Sequence, residues 1–156
     1  MNNQYTLLYA NINDLESWME LVTLVRHEFL PLEQDEALED YKQTLIKNIK
    51  RQSAICAKHN NAIVGILIFS PNQNCLGCMA VHPGHRSEGI ATAMIKEMLA
   101  KLPQEENVWV TTYREDDSKG NAPRALYKKL GFVEDELTMD FDYPHQKFVL
   151  IRKELP

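Results

Sequence analysis

The chain is predicted to fold as a three-layer α+β (α/β) domain, a mixed and mostly antiparallel sheet with helices against both faces. Three observations predict it. Apolar residues recur at helical spacing in four segments and in extended, strand-like runs in seven others. Their order, β-α-α-β-β-β-α-β-α-β-β, sets meandering strands first and a strand–helix–strand crossover after them. With 156 residues, 44% hydrophobic and 25% charged, the chain has the size and composition of one soluble domain, 1–156, with a core of its own.

Gln4 to Ala10 alternates enough for an opening strand. Asn13, with Glu16 three residues on as in a capping box, opens an amphipathic run through Leu15, Trp18, Met19, Val22, Val25 and Phe29, which Pro31 stops. A second helix spans about Asp35 to Arg51, with Leu38, Tyr41, Leu45 and Ile49 on one face and an acidic start and basic end that suit its dipole. SAICAKH and AIVGILIF form a hairpin about Asn60-Asn61, and the second, apolar throughout, reads as a central strand. Asn74 to Val81 is the next strand. Ser87 to Leu102 is a helix with Ile90, Met94, Ile95, Met98, Leu99 and Leu102 inward, ended by Pro103. After a strand from Asn107 to Tyr113 and a polar loop comes a short helix, Ala122 to Leu130, which Gly131 closes. Strands at Val133 to Phe141 and Lys147 to Arg152 finish the chain.

Composition narrows the function. A net charge of −5 argues against nucleic-acid binding, because phosphate neutralisation needs a basic surface. No apolar run reaches the roughly 20 residues of a membrane span, and the N-terminus lacks the basic and apolar regions of a signal peptide, so a cytoplasmic protein is expected. Cys75-Leu-Gly-Cys78 has no second pair with which to complete a zinc site, and in a strand its two thiols lie about 10 Å apart on opposite faces. Cys56, Cys75 and Cys78 are therefore read as reduced thiols with no metal.

The informative stretch is VHPGHRSEGIATAMI, from Val81, which places small residues where a strand hands over to a helix. The first amides of a helix lack internal partners and carry the positive end of its dipole, so they bind phosphate where no side chain blocks approach. Gly89 and Ala91 give that clearance, and Arg86 supplies one positive charge. Gly84 to Gly89 matches the glycine spacing of a nucleotide P-loop, but Ile90-Ala91 stands where Lys-[Ser/Thr] is needed. The dinucleotide-binding G-x-G-x-x-G is absent as well.

Val81-His-Pro-x-x-Arg86-x-x-Gly89-Ile-Ala91 resembles the acyl-CoA-binding motif of the GNAT superfamily of N-acetyltransferases, and ALYKKLGF (Ala125 to Phe132) resembles that superfamily's second motif. Together the two cover roughly residues 50 to 135 in the family's order. The resemblance implies a sheet whose strands splay at the acyl-CoA site. It implies that Met79, Ala80 and Val81 lie along the pantetheine arm of acetyl-CoA, and that the amides of Arg86, Ser87, Glu88, Gly89, Ile90, Ala91 and Thr92 surround the pyrophosphate. A backbone N–H near Ala80 or Val81 would polarise the acetyl carbonyl. Tyr127 occupies the position of the family's usual general acid, with Leu126 and Leu130 expected on the buried face of its helix and the tyrosine at the edge. One departure stands out. The second motif commonly carries an Asn seven residues before the tyrosine, where this chain has Gly120, with Asn121 displaced by one; Asn121 either reaches the cofactor or only begins the helix.

The implied reaction moves an acetyl group from acetyl-CoA to a primary amine by direct attack in a ternary complex, which needs no protein nucleophile and no metal. Candidate bases are His82, Tyr113, Glu115, Asp116 and Glu28, and the sequence singles out none of them. A non-catalytic acyl-CoA-binding module is the alternative, though it would have no need of Tyr127, and a plain interaction domain is a third reading. The acidic runs Glu115-Asp116-Asp117 and Glu134-Asp135-Glu136, with Asp140 and Asp142, either rim the acceptor slot and attract cationic amines or are solvated faces. A homodimer through the late strands, frequent in the family, stays open.

Overall fold

Two stacks of side chains, one on each face of a seven-stranded sheet, carry the architecture. The computed structural model describes residues 4–28, 32 and 34–153. The strands are β1 (Thr6–Tyr9), β2 (Ala54–His59), β3 (Ala62–Ser70), β4 (Cys75–Val81), β5 (Val108–Tyr113), β6 (Val133–Asp140) and β7 (Tyr143–Leu150). The helices are α1 (Leu15–Val25), α2 (Asp35–Arg51), α3 (Ile90–Lys101) and α4 (Asn121–Lys129). The sheet order is β1-β2-β3-β4-β5-β7-β6, antiparallel except where β4 meets β5.

Helices α1 and α2 cover one face, with Trp18, Val22, Val25, Leu45 and Ile49 packed on Cys56, Ile66 and Ile68. Helices α3 and α4 cover the other, where Met94, Met98 and Tyr127 pack on Ile55, Leu67, Phe69 and Phe148. β3 sends Ile66 and Ile68 one way and Leu67 and Phe69 the other. That is why its sequence is apolar without alternation: a strand buried on both faces needs no polar side.

Local chemistry fixes the turns. Asn60 and Asn61 both hold left-handed backbone, φ 51° and 66°, as a two-residue hairpin turn with right-handed strand twist requires. Phe141 and Asp142 do the same at 55° and 57°, so Phe141 belongs to the β6–β7 turn rather than to the strand, and β7 starts at Tyr143, four residues before its expected position. Gly131 at φ 96° ends α4, and the Phe132 amide bonds back to Tyr127 O at 2.9 Å. At α1 the expected cap is displaced. Asn11, not Asn13, is the capping residue, with Asp14 returning the bond to the Asn11 amide at 2.9 Å, because a short 3-10 turn (Ile12–Asp14) precedes the helix. Phe29 and Pro31, the expected end of that helix, lie outside the described residues.

One close approach sets the height of α3 above the sheet. Gly65 on β3 lies under the start of that helix, where a Cβ would come within 2.7 Å of Ile90 Cγ2 and 3.3 Å of both Ala57 Cβ and Met94 Cε. The absent side chain lets the first turn of α3 rest on the sheet.

Candidate functional site

β4 and β5 run side by side at one position only, Cys75 opposite Trp109, where the Trp109 amide donates to Asn74 O at 3.1 Å. Beyond it they separate. β5 is held along its whole length by β7, whereas β4 follows β3 and shifts register between Ile68 and Phe69, opposite Gly77. A wedge opens, and the edge of β4 that lines it can be read from one hydrogen bond. The His82 amide donates to Val64 O at 2.8 Å, so even-numbered residues in this part of β4 address β3 and odd-numbered ones face the gap. Met79 and Val81 therefore present backbone N–H and C=O groups to the wedge. The amide of Ala80, expected there, points to β3 instead, and its side chain is buried on the α1–α2 face.

The loop after β4 is shaped by left-handed residues. His82 Nδ1 accepts from the Gly84 amide at 2.9 Å and caps the 3-10 turn Pro83–His85. Ser87 at φ 64° and Gly89 at φ 81° then turn the chain, and α3 begins at Ile90, later than the Ser87 start read from periodicity. The first helical bond is from Ala93 N–H to Gly89 O at 3.0 Å, which leaves the amides of Ile90, Ala91 and Thr92 without an intrahelical acceptor. No side chain caps this end. Arg86, Ser87, Glu88 and Gly89 are exposed in the loop ahead of it. The Arg86 guanidinium, expected to supply one positive charge beside these amides, is engaged. Its Nη2 donates to both carboxylate oxygens of Glu28 at 2.9 Å, and its Nε to Val81 O at 3.1 Å.

Tyr127 stands on the inner side of α4, in the core on the α3–α4 face of the sheet. It is 4% exposed, whereas Leu126 and Leu130 are only partly buried, the reverse of the expected facing. Phe132 and Phe148 hold its ring at centroid distances of 5.7 and 6.0 Å. Burial, reinforced by the neighbouring Cys78 thiol, pushes the hydroxyl pKa well above the ordinary tyrosine range. Cys78 packs on the α1–α2 face and Tyr127 on the other, and the thiol lies near enough to bear on the hydroxyl's ionisation. Cys78 Sγ lies 3.5 Å from the Tyr41 hydroxyl, which accepts from Trp18 Nε1 at 3.0 Å. Helical periodicity gave Tyr41 only as a packing residue.

Asn121 is exposed in the first turn of α4, and its side chain makes no cap bond there. Gly120 sits in a tight place: a Cβ there would meet Tyr113 O at 3.0 Å, Arg124 Cδ at 3.1 Å and Tyr113 Cβ at 3.2 Å, so a side chain would need its neighbours to give by a few tenths of an ångström. Arg124, 5% exposed, ties α4 to the sheet by donating to Tyr113 O (3.1 Å), Gln146 Oε1 (2.8 Å) and Glu134 Oε1 (2.8 Å). Glu134 also pairs with Lys128, so this acid serves α4 rather than the rim of the wedge.

The candidate bases separate. His82 is a loop cap, and Glu115 and Asp116 are exposed beyond β5. Tyr113 donates its hydroxyl to Glu28 O at 3.3 Å, so Glu28 joins both lips of the wedge, through its carbonyl to β5 and through its carboxylate to Arg86. Among the described residues no group of His, Cys, Asp and Glu is arranged to hold a metal, and no helix is long and apolar enough to cross a membrane.

A family model for the acetyltransferase (GNAT) domain matches residues 50–134, more than half of the chain, and the chain belongs to that family of acetyltransferases. Solved structures agree on the fold. A GNAT-family acetyltransferase from Bacillus cereus ATCC 10987 is 18% identical, with 97% of this chain and 99% of that one covered at a TM-score of 0.74. The yncA protein of Salmonella typhimurium, solved with its cofactor acetyl-CoA, is 13% identical over 98% of this chain and 96% of its own, TM-score 0.72. The microcin C7 self-immunity acetyltransferase MccE, solved with acetyl-CoA and AMP, is 13% identical over 96% and 93%, TM-score 0.68. No curated protein matches by sequence.

Proposed function

We propose that the chain is a cytoplasmic N-acetyltransferase acting as a single domain, 1–156, which transfers the acetyl group of acetyl-CoA to a primary amine by direct attack in a ternary complex. The observation that carries this reading is the wedge between β4 and β5, lined by the outward backbone of Met79 and Val81, with Tyr127 buried on the α3–α4 side of the sheet and close enough to Cys78 of β4 for the thiol to bear on its hydroxyl. The residues present fit the co-substrate. The edge of β4 facing the wedge, apart from the Val81 carbonyl that Arg86 already engages, offers an amide-bearing pantetheine arm a strand-like partner, and the amides of Ile90, Ala91 and Thr92, without an intrahelical acceptor, offer its pyrophosphate donors. Acetyl-CoA supplies the activated acetyl thioester.

The chain's own groups then do three things. The N–H of Met79 or Val81 donates to the acetyl carbonyl as negative charge gathers on its oxygen. The acceptor nitrogen forms the new C–N bond, the C–S bond breaks with its electron pair on sulfur, and the nitrogen gives up its proton to water in the wedge. Tyr127 donates to the departing sulfur. Because burial raises its pKa, outright proton transfer to a thiolate of reference pKa near 8.5 is uphill. Its contribution is a hydrogen bond that strengthens as the C–S bond breaks.

Calorimetric titration with acetyl-CoA, then thiol release on a panel of amines, tests the proposal. Tyr127→Phe should lower kcat about 10²-fold with acetyl-CoA affinity nearly unchanged. Gly89→Glu should abolish binding, with Gly89→Ala as the control for strain at its positive φ. Binding with no thiol release on any amine would leave a non-catalytic acyl-CoA module. Full affinity in a folded Gly89→Glu variant would refute the phosphate site.

A further inference from the structure

The end of β5 and the start of β7 build a corner on the sheet. Tyr113 and Tyr143 stand perpendicular, at 89°, with ring centroids 5.7 Å apart. His145, register partner of Tyr113, lies 5.1 Å from the Tyr113 ring and 6.0 Å from that of Tyr143. Lys119, from the 3-10 turn Ser118–Gly120, reaches into this corner. Its Nζ is 5.3 Å from the Tyr113 centroid and 5.1 Å from that of Tyr143, donates to the Tyr143 hydroxyl at 3.0 Å, and sits 3.3 Å from Asp117 Oδ1. Asp117 Oδ2 in turn accepts from the Tyr143 hydroxyl at 2.7 Å. Two aromatic rings, a hydroxyl oxygen and a carboxylate around one point are the set that holds an alkylammonium ion. In this structure an alkylammonium is there, at the end of four methylenes.

The corner adjoins the wedge. Counting from Cys75 opposite Trp109, and allowing for the extra residue at Gly77, Tyr113 falls across the gap from Ala80, and its hydroxyl bonds Glu28 at the lip. The Tyr113 side chain is therefore shared: its hydroxyl end belongs to the mouth of the wedge and its ring to the corner. Lys119 is a loose occupant, with 44% of its side chain exposed, while Asp117 is 16% exposed. Asp140 and Asp142 flank Tyr143 at the β6–β7 turn and add negative charge without filling the corner.

We propose that this corner is a specificity subsite for the acceptor, taking the second, non-reacting ammonium of a linear aliphatic diamine or polyamine, with Lys119 occupying it until the acceptor displaces it. The inference rests on the acetyltransferase reading. It adds that the acceptor carries two nitrogens: one deprotonated and acetylated in the wedge, the other charged between Tyr113, Tyr143 and Asp117.

The test compares 1,4-diaminobutane with n-butylamine, equal in chain length, on the full chain. With acetyl-CoA saturating, kcat/KM from thiol release should favour the diamine by about tenfold, the discrimination expected of a single well-made cation site. Lys119→Ala removes the competing ammonium and should raise that ratio further. Asp117→Asn, which keeps the turn's side-chain acceptor, should bring it close to unity through KM rather than kcat. Calorimetry of 1,4-diaminobutane with the Lys119→Ala protein, without acetyl-CoA, should show binding that Asp117→Asn abolishes. Equal kcat/KM for the two amines in the wild type and in Lys119→Ala would overturn the subsite while leaving the acetyltransferase reading intact. Failure to bind acetyl-CoA would sink that reading, and the calorimetric arm would still decide the subsite, since no diamine binding there overturns it.

Discussion

Gly65→Ala adds one methyl group where the sheet and α3 are closest. Its Cβ would lie 2.7 Å from Ile90 Cγ2, roughly 1 Å inside the optimum for two carbon atoms of about 3.5–4.0 Å. Met94 Cε, at the end of a flexible side chain, can move aside, but Ile90 is 1% exposed and β-branched, with one preferred χ1 in a helix. The first turn of α3 must lift. Overpacking of this kind costs about 2 kcal/mol, and in a chain of this size that lowers Tm by about 4–8 °C. Ile90→Ala removes the opposing methyl and alone costs about 2–4 kcal/mol through the cavity it leaves. In the double variant the two changes complement each other, and the double-mutant cycle should show a favourable coupling of at least about 1 kcal/mol. Differential scanning calorimetry of the four proteins measures all of this. Because Ile90 also begins the helix, acetyl-CoA titration should show weaker binding in Gly65→Ala. A Tm at or above wild type, or strict additivity in the cycle, would refute the claim that this glycine sets the height of α3.

Lys58→Met should destabilise the fold by about 3 kcal/mol, because it strands the Asp14 carboxylate, 8% exposed and 2.6 Å from the Lys58 ammonium. The pH dependence should change with it. Burial raises the Asp14 pKa, but the Lys58 hydrogen bond, the Asn11 amide and the Lys58 charge together outweigh it, so the folded value lies below the ordinary one. In the wild type this pair's stability is present above the ordinary carboxylate range and lost as pH falls through the depressed folded value, whereas in Lys58→Met burial prevails and acid relieves the strain; Tm against pH checks the sign. Incubation with acetyl-CoA alone should leave Cys56, Cys75 and Cys78 unmodified by mass spectrometry. Burial pushes all three thiols upward, Cys56 to about 12, so none presents much thiolate at neutral pH. A rapidly formed adduct that passes to amine would overturn direct transfer.

What the sequence disclosed was local. Asn60-Asn61, Gly131 and the charge gradient of α2 each act within a few residues, and each sits where the pattern placed it. The apolar run of β3 was legible because both its faces are buried. What stayed hidden depends on distant partners. Tyr143 to Gln146 lack a strand signature, Pro144 among them, yet β5 on one side and β6 on the other draw them into β7. Gly77 reads as an ordinary strand residue, but the register shift opposite it sets which backbone groups of β4 face the wedge. The motif around Arg86 to Thr92 marked the loop, not the fate of its charge, since Glu28 stands 58 residues away in sequence. The tight packing at Gly120, where the motif usually has Asn, becomes visible only through the proximity of Tyr113 and Arg124.

If the proposed acetyl-transfer reading holds, the Arg86–Glu28 pair would act as a thermodynamic linkage between the two substrates. Each partner has one foot at a different place: Arg86 in the loop ahead of α3, where the pyrophosphate is proposed to bind, and Glu28 at the lip of the wedge beside β5, where the acceptor is proposed to enter. With 46% and 35% of their side chains exposed, the two are held weakly enough to part. A polyanion that draws the guanidinium away releases a carboxylate at the acceptor's door, and a cation that engages the carboxylate releases a guanidinium toward the polyanion. Each ligand then finds its site better prepared by the other, by the same factor in both directions.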